Sequence, residues 1–316
     1  MTHDKSMLLC GIDGGGTSTK VVVCDAEGNV LHAFETGSIN HYGTGLEKTR
    51  DVFAGISANL QSRFGTLPGT LFVGDSALDE TPDAATIQTI TGNVFGSSKV
   101  IFHSDAYIAL LGFALGQPGA ILISGTGSMA CGIDTTGKYH VSGGWGQVLG
   151  DEGSGYHLAL MGIRAALQGN DGISEPTQLT ERVMHFFGVP RLRDLIEKIC
   201  HPPAEKSIIA AFAPEVARAA HEGDVVALRI IDDTVRWLHK LALSIARVCP
   251  ARELGYYGSV LMKNEVIRTK LGRLLGNHDI FLLAPRLKPA AGALIGAFSQ
   301  AGLPVTDTVI ANLEKY

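Results

Sequence analysis

Short apolar segments alternate with polar turns over the first part of the chain. Met7 to Ile12 is apolar and ends at Asp13, and a second apolar segment, Lys20 to Cys24, is rich in valine. A third strand-like segment, Asn29 to Phe34, follows the turn Ala26–Gly28. Because β-branched and aromatic residues favour strands, this pattern predicts three consecutive strands, of which the first two are joined by a glycine turn.

Helical periodicity starts after the third strand. From about Gly45 to Arg63, the apolar residues recur at the spacing of one helix face. Strands are then predicted at Thr70–Val73 and Lys99–Phe102, with a short helix between them and an apolar helix at Ala106–Leu115. Three strands, helix, strand, helix, strand, helix is the plan of one ribonuclease-H-like domain.

The same plan begins again near residue 119. The predicted strands are Ala120–Ile123, Met129–Ile133, Lys138–Val141, Gly255–Tyr257 and Phe281–Leu283. The predicted helices are Ser154–Gln168, most of Thr177–Cys249, about Asn264–Leu275 and a last one from Pro289, which we expect to pack on the first half. The chain is therefore predicted to be an α/β protein of two ribonuclease-H-like (actin-like ATPase) domains flanking an interdomain cleft.

The domain limits are predicted from this repeat. The N-terminal domain takes residues 1–117 together with a C-terminal helix at about 288–316. The C-terminal domain takes residues 118–287 and carries a helical insertion. No linker rich in proline or serine divides the halves, so we expect the short segment Gly116–Gly119 to act as a hinge.

Composition favours a large folded core. Of 316 residues, 45% are hydrophobic and only 18% are charged, which excludes a disordered chain and suits two domains. The net charge of −5 argues against a general affinity for nucleic acid or anionic membrane. No apolar run has the length of a membrane span, and the first six residues lack the apolar part of a signal peptide, so we expect a cytoplasmic protein.

The cysteines give little support to a metal centre. Cys10, Cys24, Cys131, Cys200 and Cys249 are scattered and form no Cys-x-x-Cys pair. A zinc or iron–sulfur site within one chain is therefore poorly supported. We expect Cys10 and Cys24 to be small buried hydrophobic residues of the core strands.

Two glycine turns have the composition of phosphate-binding hairpins. Glycines let backbone N–H groups approach an anion closely, hydroxyls add donors, and an acidic residue at the strand end can hold a metal ion such as Mg²⁺. The first turn alone could equally be a hairpin without a ligand, but a second such turn favours phosphate. The turns consist of Asp13, Gly14, Gly15, Gly16 and Thr17, and of Ser124, Gly125, Thr126, Gly127 and Ser128.

The commoner nucleotide loops do not fit the first turn. The chain has no Gly-x-x-x-x-Gly-Lys followed by Ser or Thr, which excludes a P-loop. A dinucleotide-binding turn opens a helix, whereas here the following residues are β-branched and predict a strand. A strand–glycine turn–strand arrangement is typical of the actin-like ATPases and sugar kinases.

Two further motifs accompany the glycine turns. Ser104-Asp105-Ala106 lies between the two turns, and Gly-Gly-Trp-Gly-x-x-x-Gly-Asp-Glu-Gly-Ser at 143–154 follows the second one. Over roughly residues 7 to 300, the chain resembles the N-acetylglucosamine kinase family of the sugar kinase/Hsp70/actin superfamily, in the branch shared with glucosamine kinases and dehydratase-activator ATPases. The resemblance implies ATP-dependent phosphorylation of an amino sugar, with N-acetylglucosamine and its 6-hydroxyl as the first expectation, and with ATP and Mg²⁺ as cofactors. It also implies a homodimer.

The resemblance assigns the catalytic and nucleotide residues. It makes Asp105 the general base that accepts the proton of the sugar hydroxyl, although Ser104 or Asp105 could also serve as the N-cap of the following helix. It makes Asp13 the residue that holds Mg²⁺, largely through water. It makes Gly258 part of an adenosine loop, where Tyr257 replaces the usual second glycine.

The resemblance also assigns a sugar pocket. Its residues are Asn40, Asp105, Thr126, Gly144, Trp145 and Asp151. Asp151 would accept hydrogen bonds from sugar hydroxyls, whereas Trp145 could equally be an ordinary core aromatic. The segment Gly74-Asp75-Ser76 departs from the small apolar pattern common at that place, which puts the local substrate geometry in doubt.

Other functions stay open at this point. Within kinases, the acceptor could be glucosamine, N-acetylmuramic acid or N-acetylmannosamine, although Trp145 and the pair Asp151-Glu152 favour an acetylated sugar. A BadF-type activator ATPase would need cysteines that bridge a dimer through an iron–sulfur cluster, and neither Cys131 nor Cys200 has such a context. A sugar-sensing regulator would need appended DNA-binding helices, and six residues precede the first predicted strand.

Overall fold

The computed structural model describes residues 7–78, 82–249 and 252–316. The strands are β1 Leu9–Gly14, β2 Ser18–Cys24, β3 Val30–Gly37, β4 Thr70–Asp75, β5 Lys99–Ser104, β6 Gly119–Ser124, β7 Ser128–Ile133, β8 Tyr139–Gly143, β9 Glu253–Tyr257 and β10 Phe281–Leu283. The helices are α1 His41–Thr44, α2 Leu46–Phe64, α3 Ala84–Thr91, α4 Asp105–Ala114, α5 Gly146–Leu149, α6 Gly155–Asn170, α7 Leu179–Phe187, α8 Lys206–Ala210, α9 Ala213–His221, α10 Val225–Val248, α11 Ser259–Lys263, α12 Glu265–Gly276, α13 Pro289–Gln300 and α14 Asp307–Leu313. A 3₁₀ turn, Leu192–Asp194, and a π-helical segment, Ile196–Cys200, lie between α7 and α8.

The chain divides into two compact units. The first contains the residues up to Pro118 together with Pro285–Tyr316, and the second is Gly119–Ala284. These limits lie within a few residues of the predicted ones. The interpretation of the units as two ribonuclease-H-like domains stays a prediction.

The first unit contains a mixed sheet in the order β3-β2-β1-β4-β5. Strands β1, β2 and β3 are antiparallel neighbours, whereas β4 and β5 run parallel to β1. Every residue of β4 is buried, as expected of a parallel strand covered on both faces. Phe53, Ile56 and Leu60 of α2 belong to the core cluster that also contains β1 and β4 side chains.

The other face of the first sheet is covered by α13, which packs against β1 and α4. The approach is close enough to require glycine. A Cβ atom on Gly292 would lie 2.1 Å from the carbonyl oxygen of Ile108, and one on Gly11 would lie 2.4 Å from that of Ala290. Almost every residue of α13 is buried, because it packs against both the sheet and α4.

The second unit repeats the sheet of the first. Its strand order is β10-β9-β6-β7-β8, with β6, β7 and β8 antiparallel and with β9 and β10 parallel to β6 and β9. The predicted repetition of one α/β plan is therefore confirmed at the level of two mixed sheets. The segment between β8 and β9 is largely helical, as predicted, and its longest helix is α10.

Two further expectations concern cysteines and membranes. Cys10 and Cys24 are fully buried, as predicted, Cys131 and Cys249 are also buried, and Cys200 is exposed. None of the five forms a disulfide among the described residues. Within the described ranges, no helix combines the length and the apolar character needed to cross a bilayer.

Candidate active site

The first glycine turn is a tight connection between β1 and β2. The N–H of Gly15 donates to the carbonyl of Ser18 at 3.0 Å, which closes the turn. The hydroxyl of Ser38 donates to the carbonyl of Gly15 at 2.8 Å and so fastens the turn to the end of β3. A Cβ atom on Gly16 would meet nothing within 4 Å, so the tip of the turn faces open space. The turn has room for an anion to approach its backbone.

Three aspartates lie at the carboxyl ends of β1, β4 and β5. Asp13 is in β1, Asp75 ends β4, and Asp105 directly follows β5. Burial raises the pKa of Asp13 to about 6, and the charge of Asp105 adds to that shift while Lys20 opposes it. Ligands of open α/β sheets bind outside the carboxyl ends of the parallel strands, which is where these carboxylates meet.

Asp105 is the first residue of α4, and the N-cap is Ser104. The hydroxyl oxygen of Ser104 accepts a hydrogen bond from the N–H of Tyr107 at 3.2 Å. Of the two residues proposed for the cap, the serine therefore has that role. The side chain of Asp105 is exposed at the edge of the sheet. Its negative charge at the start of a helix is also favourable to the helix dipole.

His103 is not a rival base. Its Nδ1 accepts a hydrogen bond from the N–H of Ser104 at 3.1 Å, and its ring stacks on that of Tyr107 at 3.5 Å between centroids. Burial lowers the pKa of His103 to about 4, so the ring is neutral at physiological pH. The Nδ1 lone pair is already used, which leaves Asp105 as the better placed proton acceptor of this strand end.

Asp75 is a site residue that sequence reasoning missed. It is fully buried, and its Oδ1 accepts a hydrogen bond from the N–H of Ala77 at 2.9 Å. Its Oδ2 is also buried and has no hydrogen-bond partner among the described residues. Burial raises the pKa of Asp75 to about 6, the Ala77 N–H opposes that shift, and the charge of Asp105 adds to it. The available signal was an acidic residue separated by only Gly74 from the apolar run Leu71–Val73.

Asn40 links two loops of the first unit. Its Oδ1 accepts from the N–H of Gly43 at 3.0 Å and caps α1, while its Nδ2 donates to the hydroxyl of Ser76 at 3.1 Å. The predicted sugar-binding asparagine therefore lies beside the residue that follows Asp75. The structure brings Asn40, Asp75 and the Asp105 strand end into one region of this unit.

The second glycine turn, Ser124–Ser128, joins β6 to β7. The N–H of Gly125 donates to the carbonyl of Gly127 at 2.9 Å. The hydroxyls of Ser124 and Ser128 donate to the carbonyls of Gly153 and Glu152, both at 2.7 Å. The second turn and the end of segment 143–154 are therefore joined in the structure, since the carbonyls of Glu152 and Gly153 hold the turn in place. Thr126 lies exposed at the tip of the turn.

Asp151 is held by two protein donors. Its Oδ1 accepts from the N–H of Ser128 at 3.0 Å, and its Oδ2 accepts from the ammonium of Lys206 at 2.5 Å. Its side chain is only 3% exposed, and its φ of 64° lies in the left-handed region. Lys206 is a second residue that sequence reasoning missed, because it lies 55 residues away on an unrelated helix.

Gly144 and Trp145 precede α5. The N–H of Gly144 donates to the carbonyl of Ser128 at 3.0 Å, so this glycine also lies against the second turn. The side chain of Trp145 is 73% exposed, which excludes the interpretation as a core aromatic. An exposed indole of this kind is available to a ligand or a partner.

Gly258 approaches the second turn from the end of β9. A Cβ atom on Gly258 would lie 2.4 Å from the carbonyl carbon and oxygen of Ser124, and its φ of 93° is strained for any other residue. Only glycine lets the β9–α11 connection pass so close to the turn. The predicted adenosine loop therefore adjoins the predicted phosphate turn within the second unit.

The residues suit phosphates and a metal held mainly by water. Both turns are made of glycine and hydroxyl residues with space at the tip, and Asp13 supplies a carboxylate beside the first. Within residues 7–78, 82–249 and 252–316, no group of three His, Cys, Asp or Glu side chains forms a ready metal cage. Mg²⁺ usually keeps several waters and binds one or two carboxylates together with substrate phosphates, so a single Asp13 fits it.

The chain is similar to characterised sugar kinases along most of its length. An N-acetylmuramic acid/N-acetylglucosamine kinase of Clostridium acetobutylicum is 30% identical over 272 residues, which cover 85% of this chain and 86% of that protein. The glucosamine kinase GspK of Vibrio cholerae is 28% identical over 308 residues, covering 93% and 95%. A crystal structure described as a candidate N-acetylglucosamine kinase from Chromobacterium violaceum has a TM-score of 0.72 at 25% identity, covering 92% of this chain and 99% of that one.

The residues that match a family model span nearly the same part of the chain as the motifs. Residues 10–297 match the model of the BadF/BadG/BcrA/BcrD ATPase family. That range begins in β1, before the first glycine turn, and ends within α13, so it includes both sheets and every motif described above. With both turns, the Asp105 strand end and the Gly258 loop inside it, the chain belongs to the BadF/BadG/BcrA/BcrD ATPase family.

Proposed function

We propose that this protein transfers the γ-phosphoryl group of ATP to the 6-hydroxyl of an amino sugar, with N-acetylglucosamine as the preferred acceptor. At the level of enzyme class, it is an ATP-dependent sugar kinase, since its relatives are kinases of this kind over more than four fifths of its length. The observation that carries the proposal is the position of Asp105. It is an exposed carboxylate at the carboxyl end of β5, where Ser104 takes over the capping role.

Asp105 acts as the general base. It accepts the proton of the sugar hydroxyl while the sugar oxygen forms its bond to the γ-phosphorus and ADP leaves. Base catalysis of this kind is worth roughly 10²–10⁴-fold in rate. The remaining catalysis is positioning and charge neutralisation, because phosphoryl transfer needs little covalent chemistry from the protein.

The glycine turns bind the phosphates. Gly14, Gly15, Gly16 and Thr17 offer backbone and hydroxyl donors on the first turn, and Ser124, Gly125, Thr126 and Gly127 do so on the second. Asp13 holds Mg²⁺ through water, and this ion neutralises phosphate charge when bound. Gly258 admits the adenosine part of the nucleotide beside the second turn, where a side chain would collide with Ser124.

Asn40, Thr126, Gly144, Trp145 and Asp151 are proposed to recognise the sugar. Asp151 already accepts one hydrogen bond on each oxygen. A carboxylate offers about four lone-pair sites, so each oxygen retains one for a sugar hydroxyl. The exposure of Trp145 leaves its ring available to the apolar face of a sugar or to an acetamido methyl group.

Two alternatives remain as second candidates. The relative from Vibrio cholerae is named a glucosamine kinase, and the one from Clostridium acetobutylicum is named for two acetylated sugars, so either acceptor class is compatible with the family. A BadF-type activator ATPase is favoured only by the family name. Cys131 is buried in β7 and Cys200 is exposed in a π-helical segment, which is a poor pairing for a shared cluster.

ADP release from the purified protein tests the proposal. N-acetylglucosamine, glucosamine, N-acetylmuramic acid, N-acetylmannosamine and glucose are compared under one set of conditions. We expect N-acetylglucosamine to give a kcat/KM well above glucose, because a site built to hydrogen-bond polar groups discriminates against ligands that leave those groups unpaired. A tenfold preference for glucosamine would overturn the acetamido assignment, and ATP hydrolysis indifferent to every sugar would overturn the kinase assignment.

A further inference from the structure

Lys206 is the first residue of α8 and brings a positive charge to the second glycine turn. Its ammonium donates to Oδ2 of Asp151 at 2.5 Å. Asp151 is its only hydrogen-bond partner among the described residues. The Lys206 side chain is 30% exposed, whereas that of Asp151 is 3% exposed, so the ion pair joins a buried carboxylate to a partly exposed lysine.

The ammonium lies directly against the turn. A Cβ atom on Gly127 would be 3.0 Å from Nζ of Lys206 and 2.9 Å from Oδ1 of Asp151. The absence of a side chain at Gly127 therefore leaves the room that this ion pair fills. The N–H of Ser128 donates to the same carboxylate, so the turn, Asp151 and Lys206 form one connected unit.

The charges of this arrangement suit a phosphate. Asp151 alone, so close to a phosphate turn, would repel a polyphosphate, and the Lys206 ammonium neutralises it. An ammonium has three donors, of which Asp151 uses one, and lysines next to glycine turns bind phosphates as point charges. The Lys206 side chain is partly exposed and has no hydrogen-bond partner besides Asp151 among the described residues, so two of its three donors are open to a ligand.

We propose that Lys206 binds the terminal phosphate of a nucleoside triphosphate at the Ser124–Ser128 turn, with Asp151 as the positioning residue that holds the ammonium there. This inference rests on the proposed kinase function for the identity of the nucleotide. It gives Asp151 a role that is independent of any sugar contact. It also supplies the protein cation that the composition of the two turns lacks.

Nucleotide binding without sugar tests this inference by titration calorimetry. The ligands are AMP, ADP and a non-hydrolysable ATP analogue, each with Mg²⁺, and glucosamine 6-phosphate as a second source of a phosphate group. We expect Lys206→Gln to weaken the ATP analogue about tenfold or more and AMP by less than about twofold, the size typical of a lost charge-assisted hydrogen bond. Lys206→Arg should restore most of the affinity, since it restores the charge.

Lys270→Gln is the matched control. Lys270 also forms an ion pair in the second unit, with Asp232, but it lies on α12 and its ion-pair partner is not Asp151. It should leave all four affinities unchanged. In Lys206→Gln the new amide can still donate a hydrogen bond to Asp151 and so preserve the local fold.

Lysine labelling of the wild-type protein gives a second measurement that needs no variant. An amine-reactive acylating reagent should modify Lys206 in the free protein, and the ATP analogue should protect it whereas AMP should not.

Four results would overturn the inference. The first is an affinity of Lys206→Gln for the ATP analogue within twofold of wild type, and the second is an equal loss of affinity for AMP and the analogue together with a lower melting temperature. The third is a loss of affinity confined to glucosamine 6-phosphate. The fourth is that the ATP analogue gives Lys206 no protection from labelling. A protein that shows the Lys206 dependence but phosphorylates no amino sugar would refute the proposed acceptor and leave this inference standing.

Discussion

The hydroxyl of Ser104 accepts a hydrogen bond from the backbone N–H of Tyr107 at 3.2 Å, so Ser104 and not Asp105 caps the N-terminus of α4. A serine and an aspartate are both good N-cap residues, so their adjacency in sequence leaves the roles undecided. The structure assigns a different role to each residue. The serine contributes to stability, and the aspartate is left with an exposed carboxylate at the strand end.

Paired substitutions at these positions should separate stability from turnover. Asp105→Asn should lower kcat by roughly 10²–10⁴-fold with little change in melting temperature, because the amide cannot accept the sugar proton. Ser104→Ala should do the opposite, costing about 1 kcal/mol of stability through the lost cap while retaining most of the turnover. A coupled ADP assay and thermal unfolding measure the two effects. A kcat of Asp105→Asn within threefold of wild type would remove it from the base role.

Asp75 should make the protein less stable at neutral pH. Its folded-state pKa is raised to about 6, so the stability that its protonated form contributes is present below the unfolded pKa of about 4 and is lost as pH rises through 6. Asp75→Asn should therefore raise the free energy of unfolding at pH 7.5 by up to about 3 kcal/mol. The gain should disappear near pH 4. Urea unfolding of both proteins between pH 4 and 8 measures the difference.

Asp83 provides a control of opposite sign. It is the N-cap of α3, and its Oδ1 accepts from the N–H of Thr86, which lowers its pKa. Asp83→Ala should destabilise the protein at pH 7, with an effect that fades as pH falls below about 4. Equal pH dependence for the two variants would contradict the assignment of the raised pKa to Asp75.

Turnover should require Mg²⁺, and the concentration of Mg²⁺ that it requires should be higher at acid pH. The pKa of Asp13 is raised to about 6, so below that pH a proton competes with the ion for the carboxylate. The Mg²⁺ concentration for half-maximal activity should rise by up to about tenfold per pH unit below 6. Magnesium titrations at pH 5, 6 and 7.5 test this. Asp13→Asn should need more Mg²⁺ at every pH and lose that dependence, and full activity in excess chelator would contradict the metal role.

Glycine at position 258 should be indispensable to nucleotide binding. Gly258→Ala would place a Cβ atom 2.4 Å from backbone atoms of Ser124 at a strained φ of 93°. We expect a loss of stability of about 1–3 kcal/mol and a marked loss of ATP affinity. Gly272→Ala in α12 is the control, because a Cβ atom there meets nothing within 4 Å. It should stabilise the protein by about 0.5–1 kcal/mol and leave ATP binding intact.

The strands and most helices could be predicted because their signals are local. Alternating β-branched runs and glycine turns placed nine of the ten strands to within two residues at each end, and only β3 extends further. Strand β1 continues through Asp13 and Gly14 because these residues still pair with Lys20 and Thr19. The sequence pattern predicts a strand end at the polar Asp13, whereas strand pairing is made by backbone N–H and C=O groups and does not depend on the side chain.

The contacts inside the site could not be predicted because they are not local. Nothing in the sequence near Asp151 points to Lys206, and the buried position of Asp75 depends on β4 lying between β1 and β5. The exposure of Trp145 could not be predicted from the sequence either. Aromatic residues are usually buried, and only the packing around α5 shows that this one is not.

Because it contains helix α13, the first unit is completed only near the end of synthesis of the chain. The helix that covers β1 and α4 follows the entire second unit in sequence, so the ribosome completes Gly119–Ala284 before the first unit has its full core. Until then the apolar face of α4, including Gly112, lacks its partner, because Gly292 has not yet been made. The nascent chain therefore carries an unfinished half whose exposed face is a substrate for chaperones or for misassembly. A stop codon anywhere before Pro289 would leave that half permanently unfinished.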